Sequence, residues 1–161
     1  MAAVDLDDID LKRDAERGSA YHVLDPRTGR PLFADDAMQE PCRIHLLGVM
    51  SDKVETKLAE LSRRKEEREA KRFEVIKAKD PNKPDVDARK EAASTDKELA
   101  EDDAELMAAA TTGWENLQYK GKVKYTPAVG KQMYLERQWL RVQALRWSIN
   151  PANFMQGRGK A

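Results

Sequence analysis

Cysteine is almost absent from this chain: Cys42 stands alone among 161 residues, which excludes a disulfide framework and any cysteine-rich zinc module. Histidine is nearly as scarce, with only His22 and His45. Cys42 precedes His45 by three residues and supplies at most a two-ligand fragment, short of the three or four protein ligands that zinc takes. No run of residues approaches the roughly 18 apolar positions of a membrane span. The N-terminus, Met1-Ala-Ala-Val-Asp-Leu-Asp-Asp8, is acidic rather than basic followed by an apolar stretch, so membrane insertion and secretion are both disfavoured. Glycine-rich phosphate loops are missing as well. Gly157-Arg-Gly-Lys160 has glycine and lysine but neither the length nor the strand-to-helix setting of one. Asp102-Asp103 is the nearest thing to paired carboxylates, and neighbours on a helix point about 100° apart and share no pocket. The expectation is a protein that is not an enzyme, with no catalytic, cofactor-binding or metal-binding residue.

What the chain has in abundance is charge. Charged residues make up 36% of it, well above the roughly 25% of an average globular domain, so part of it is expected to stay outside any core. The length allows one domain and little more. Lys plus Arg balance Asp plus Glu at 29 each, yet the balance hides a segregation. From Lys120 onward nine basic residues face one acid, Glu136, leaving the first 119 residues at a net −8. Asp5 to Asp10 and Asp96 to Glu105 are the acidic blocks. Such asymmetry suits either a basic face for nucleic acid or a contact between the basic end and an acidic patch.

Five segments follow from composition. Residues 1–19 read as a flexible acidic tail with no core role. Residues 20–61 read as a small β-rich subdomain leading into a helix: Ala20–Leu24 and Pro31–Phe33 flank the Asp25-Pro-Arg-Thr-Gly29 turn of a hairpin, and Cys42–Met50 is a further strand. Ser51 is placed to cap a helix carrying Val54, Leu58 and Leu61 on one stripe. Residues 62–93 read as a charged helix and a proline-containing linker over 80–93; the helix is either a solvated connector or an arm presented to a partner. Residues 94–155 form the C-terminal domain, opening on a capping box at Thr95-x-x-Glu98. A short hairpin is expected around Lys120-Gly121, with Leu117, Tyr119, Val123 and Tyr125 packed. A Thr126-Pro127 helix start and a stripe of Leu135, Trp139, Val142, Leu145 and Ile149 follow. Residues 156–161 read as a second flexible tail. The class is α+β: a small N-terminal sheet, a long charged helix, a linker and a mainly helical C-terminal region with a short hairpin.

The aromatics concentrate at the basic end, with seven of ten between Trp114 and Phe154. Basic residues interleaved with aromatics can hold single-stranded nucleic acid. Trp139 shares a stripe with Leu135 and Val142, however, which favours core over stacking platform and leaves nucleic acid the disfavoured partner.

The order Thr112-Gly-Trp-Glu-Asn-Leu117, Tyr119-Lys-Gly-Lys122, Tyr125-Thr126, Leu140-Arg-x-Gln143 and Asn153-Phe154 resembles the tail assembly chaperones of long-tailed, siphovirus-type bacteriophages. The resemblance covers residues 111–155, and its specificity lies in the order and spacing of short motifs. The Leu24–Gly29 turn resembles the strand-turn-strand opening of such phage proteins, whereas residues 62–93 have no counterpart. The resemblance implies a non-enzymatic protein of the host cell cytoplasm, absent from the mature virion, that binds the tape measure protein and recruits major tail tube subunits; self-association is also compatible. It implies helix-in-groove capture, with Trp114, Tyr119, Tyr125, Trp139 and Trp147 as aromatic anchors and Arg137, Arg141 and Arg146 as charged contacts. The family often makes a longer variant by programmed frameshifting, and the codons of Arg158-Gly-Lys160 can contain a slippery heptamer. The alternatives are a nucleic-acid-binding accessory protein using the basic block and a structural tail component retained in the particle.

Overall fold

The structure, a computed structural model described over residues 3–155, has the α+β class: a three-stranded antiparallel sheet, six α-helices and short 3₁₀ turns. The expected tail at 156–161, with Arg158-Gly-Lys160, lies outside the described residues.

Strands β1 (Ser19–His22), β2 (Arg43–Leu46) and β3 (Thr111–Glu115) lie in that order, with Ala20 opposite His45 and Ile44 opposite Trp114. Alternation along β1 and β2 turns Tyr21, Ile44 and Leu46 inward. The expected hairpin at 23–32 is present in reduced form. Leu32 N–H donates to the Val23 carbonyl at 2.8 Å, and Gly29 takes the positive φ its turn requires, 69°. Proline at 26 and 31 removes donors and keeps this pairing to bridges rather than a full strand. The third strand of the sheet is not in the N-terminal half. Thr111–Glu115, in the C-terminal half, supplies it, so both halves of the chain share one sheet.

Helix α1 (Leu11–Arg17) corrects the expectation of a coreless tail over 1–19. Asp10 caps it by accepting from Arg13 N–H at 2.9 Å, and Ala15 is buried against the C-terminal end. Arg17 there donates to the Phe154 carbonyl at 3.0 Å. Leu11 and Ala15 are the only apolar residues of α1, too few for periodicity to reveal.

Helix α2 (Asp52–Lys79) is capped by Ser51 as expected and runs 28 residues, about 42 Å. Val54 and Leu61 are buried, while Leu58 is exposed. Within the expected linker, helix α3 (Asp85–Ala92) folds back and buries Ala88 and Ala92 against α2. Two alanines four residues apart are a faint signal beside the helix-breaking Pro81 and Pro84. Helix α4 (Asp96–Ala110) begins with the complete Thr95–Glu98 capping box and buries Ala104, Met107 and Ala108.

Helices α5 (Pro127–Glu136) and α6 (Gln138–Ile149) replace the single stripe expected over 135–149. The backbone breaks at Arg137 (φ −115°, ψ 76°), so helical phase is not carried across. Leu135 and Ile149 are consequently exposed, and α6 buries Leu140, Arg141, Ala144 and Ser148 instead. The expected hairpin around Lys120-Gly121 reduces to one bridge, Tyr119 to Lys122, with Val123 exposed rather than packed. The core lies between the inner face of the sheet and α4, α5 and α6, and Ile44, Leu46, Met107 and Tyr134 are fully enclosed there.

Candidate functional site

The residues picked out by sequence fall into three clusters. In the first, Trp114 at the end of β3 meets Tyr125 edge-on, ring centroids 5.4 Å apart. The Trp114 indole N–H donates to the Val123 carbonyl at 2.6 Å, and the Tyr125 hydroxyl donates to the Ala108 carbonyl at 2.7 Å. Burial pushes the Tyr125 hydroxyl up to about 12. Gly130 makes this possible, because a Cβ there would lie 2.6 Å from the Tyr125 ring. Beneath them, Thr111 Oγ1 gives its proton to the Met107 carbonyl at 2.8 Å, so the enclosed Tyr134 hydroxyl donates to Thr111.

The second cluster centres on Glu136, the only acid in the basic end. Tyr119 is buried with its hydroxyl on the Glu136 carboxylate, and Lys120 pairs with that carboxylate at 2.9 Å. The Tyr119 and Lys120 hydrogen bonds hold Glu136 at about 2. The Arg137 guanidinium sits 5.7 Å from the Tyr119 ring centroid, within cation–π range.

The third cluster ties α6 to β1. Trp147 lies 5.1 Å from the Tyr21 ring, and its indole N–H donates to Ser19 Oγ at 2.8 Å. Gln143 Oε1 accepts from Leu24 N–H at 3.1 Å and from the Tyr21 hydroxyl, while its amide nitrogen donates to the Leu24 carbonyl at 3.0 Å. Arg141 is buried and donates to the Tyr134 carbonyl at 2.8 Å. Asn153 Nδ2 donates to the Trp147 carbonyl at 3.0 Å, and Phe154 is fully enclosed. Trp139 is half-buried against the core; Arg146 is exposed and has no ion-pair partner among the described residues.

The eight expected contact residues are thus distributed among these three clusters and their surroundings. Tyr119, Tyr125, Trp147 and Arg141 spend their polar atoms inside the fold, and their accessible docking area is small. Arg137 and Arg146 remain available to solvent.

The chain was compared with protein-family models, with curated proteins and with solved structures. It matches none of them.

Cys42 and His45 are not brought together, because they lie three apart on an extended segment and so face opposite sides of the sheet. The Cys42 thiol is buried and donates to the Asn116 carbonyl at 3.2 Å, and burial raises its pKa. His45 faces outward, 3.3 Å from Glu115, and His22 bonds to the Leu32 carbonyl at 2.7 Å. No three His, Cys, Asp or Glu side chains converge on a metal position among the described residues, and no helix among them is long and apolar enough to cross a membrane.

The largest feature that the sequence left open is the partner of the Asp96–Glu105 block. It faces α2. Lys57 and Arg64 reach Glu105 at 3.3 and 2.8 Å, Arg68 reaches Asp102 at 3.1 Å, and Arg72 pairs with Glu98. These cations recur at 57, 64, 68 and 72, one stripe of a helix. Among the described residues of the basic end, only Lys131 joins, at 3.4 Å from Glu105. The signal was present in that spacing, hidden by cations and acids elsewhere on the same helix.

Proposed function

We propose that this chain is a phage tail assembly chaperone: a non-enzymatic protein of the infected cell that binds the tape measure protein, keeps it soluble and recruits tail tube subunits before leaving the finished particle. One observation carries the reading. Each motif on which the resemblance rests has an identifiable role in a single fold: Trp114 and Tyr125 pair over the end of α4, Tyr119 anchors the Gly121 turn to Glu136, Thr126 caps α5, Arg141 and Gln143 hold α6, and Asn153-Phe154 closes the core. Scattered motifs that share only order and spacing make sense as the scaffold of a common fold, with the binding surface built elsewhere.

A small α+β body joined to a charged helical arm suits reversible recognition, in which apolar area supplies affinity and charge supplies register. Nucleic acid is the weaker reading. Of the cations from Lys120 to Arg146, Lys120, Lys131 and Arg137 have acidic partners and Arg141 is buried. The remaining three, Lys122, Lys124 and Arg146, make a small phosphate footprint.

Mass spectrometry of lysate and purified particles tests the reading. The chain is expected in lysate, cross-linked to the tape measure protein, and absent from finished particles. Stoichiometric recovery from particles would make it a retained tail component instead.

A further inference from the structure

The side of α2 that faces away from its α4 ion-pair ladder carries a shallow groove, closed along one edge by α3. Its floor is apolar: Ala70, Phe73 and Ala92 line it. Its rim is acidic, formed by Glu66, Glu69 and Glu74, with the Arg89 guanidinium 5.8 Å from the Phe73 ring centroid. At about 100° per residue, positions 66, 70, 73 and 74 fall on one face of α2 and the cations 64, 68 and 72 fall on the opposite one. Arg64, Arg68 and Arg72 are engaged by acids of α4, Arg63 pairs with Glu67 of α2, and on the groove side Glu66, Glu69 and Glu74 border apolar surface.

Elsewhere on α2 the acids Glu60 and Glu67 have cationic partners on the same helix, Lys57 and Arg63. Glu66 and Glu74 have no ion-pair partner among the described residues. They stand eight residues apart, about 12 Å along the axis, or two turns of a docked helix. An apolar floor between two uncompensated carboxylates at that separation complements an apolar stripe flanked by cations two turns apart.

We propose that the α2–α3 groove binds an amphipathic helical segment of a partner protein whose apolar stripe is bordered by Lys or Arg. This rests on the chaperone reading for the identity of the partner and on the groove alone for its chemistry.

The test uses the full chain and a fluorescently labelled synthetic peptide of about four turns with a leucine stripe bordered by lysines. A scrambled peptide of the same composition is the control. Anisotropy is expected to report binding of the striped peptide, at least about tenfold tighter than the scrambled one. Glu66→Lys/Glu74→Lys, on exposed positions, should weaken binding by about tenfold, and Ala70→Glu should weaken it while leaving the unfolding midpoint in place. Equal binding of both peptides, or unchanged binding by the charge-reversed variant, overturns the proposal. So does concentration-dependent self-association abolished by that variant with no peptide bound, which would make a second copy the occupant. Failure here with a tape measure protein still solubilised removes the groove and spares the chaperone reading. Charge-dependent peptide binding with an insoluble tape measure protein does the reverse.

Discussion

Arg141 donates to the main-chain carbonyl of Tyr134 at 2.8 Å, across the break between α5 and α6. The last carbonyls of a helix lack intrahelical partners, and a buried guanidinium from the next helix satisfies this one. That bond explains why an arginine sits on the buried face of α6, and why a residue that looks available for a partner is part of the scaffold. Arg141→Ala should lower stability by about 2 kcal/mol, since a hydrogen bond to a charged group is lost and a buried carbonyl is left bare. Arg141→Lys should recover part of the loss. Urea unfolding of the three proteins checks this.

The contact between Gly130 and Tyr125 makes a sharper steric prediction. Gly130→Ala places a methyl group 2.6 Å from the Tyr125 ring. The ring must move, releasing its bond to the Ala108 carbonyl and its edge contact with Trp114. A loss of about 1–3 kcal/mol is expected, although alanine is the better helix former. A change in tryptophan emission should accompany it, and a stability gain with an unchanged spectrum would show that the pair tolerates the methyl group.

Acid should dissolve the α2–α4 ladder. The Arg72 hydrogen bond and the Thr95 backbone hold Glu98 at about 2. Burial acts to raise Glu105, but hydrogen bonds from Arg64 and Lys57 outweigh it and leave this carboxyl at about 2 as well. Both folded-state values lie below the ordinary 4.5. Their stabilisation is therefore complete above about pH 5 and is lost as pH falls toward 2. Glu98→Gln/Glu105→Gln should show a lower urea midpoint at pH 7 and a shallower decline between pH 5 and 2. Glu136, held at about 2 by Tyr119 and Lys120, accounts for part of the slope that remains.

Beyond Leu61, α2 has no buried residue, and α3 contributes only Ala88 and Ala92. Segments with little buried apolar surface open at low free energy. Amides of α3 and of α2 after residue 65 should exchange with opening free energies at least about 2 kcal/mol below those of α4 and α6. Hydrogen exchange followed by mass spectrometry reads this directly, and uniform protection would mean that the arm is locked to the body.

The elements most legible in sequence were those whose signal is local. Ser51, the Thr95–Glu98 box and Thr126-Pro127 each announced a helix start, because a cap is a short-range hydrogen bond between fixed positions. Elements that depend on distant partners were not. Thr111–Glu115 becomes a strand only because β2 lies beside it, and α1 is held by Gly48 and Phe154. The α6 stripe was misphased because the break at Arg137 resets the period, which no window of residues spanning the break reveals. At the candidate site, several of the motif residues have their polar atoms engaged within the fold. Aromatic and arginine side chains suit both interfaces and cores, and only the acceptors at Val123, Ala108 and Tyr134 distinguish the two here.

The central claim is that the chain is a binding partner of a long helical protein. Co-expression with a phage tape measure protein tests this most directly, by measuring the soluble fraction of the partner with and without the chain. The account predicts that the partner becomes soluble and co-purifies with the chain. A partner that stays equally insoluble in both cases, or is equally soluble without the chain, contradicts it.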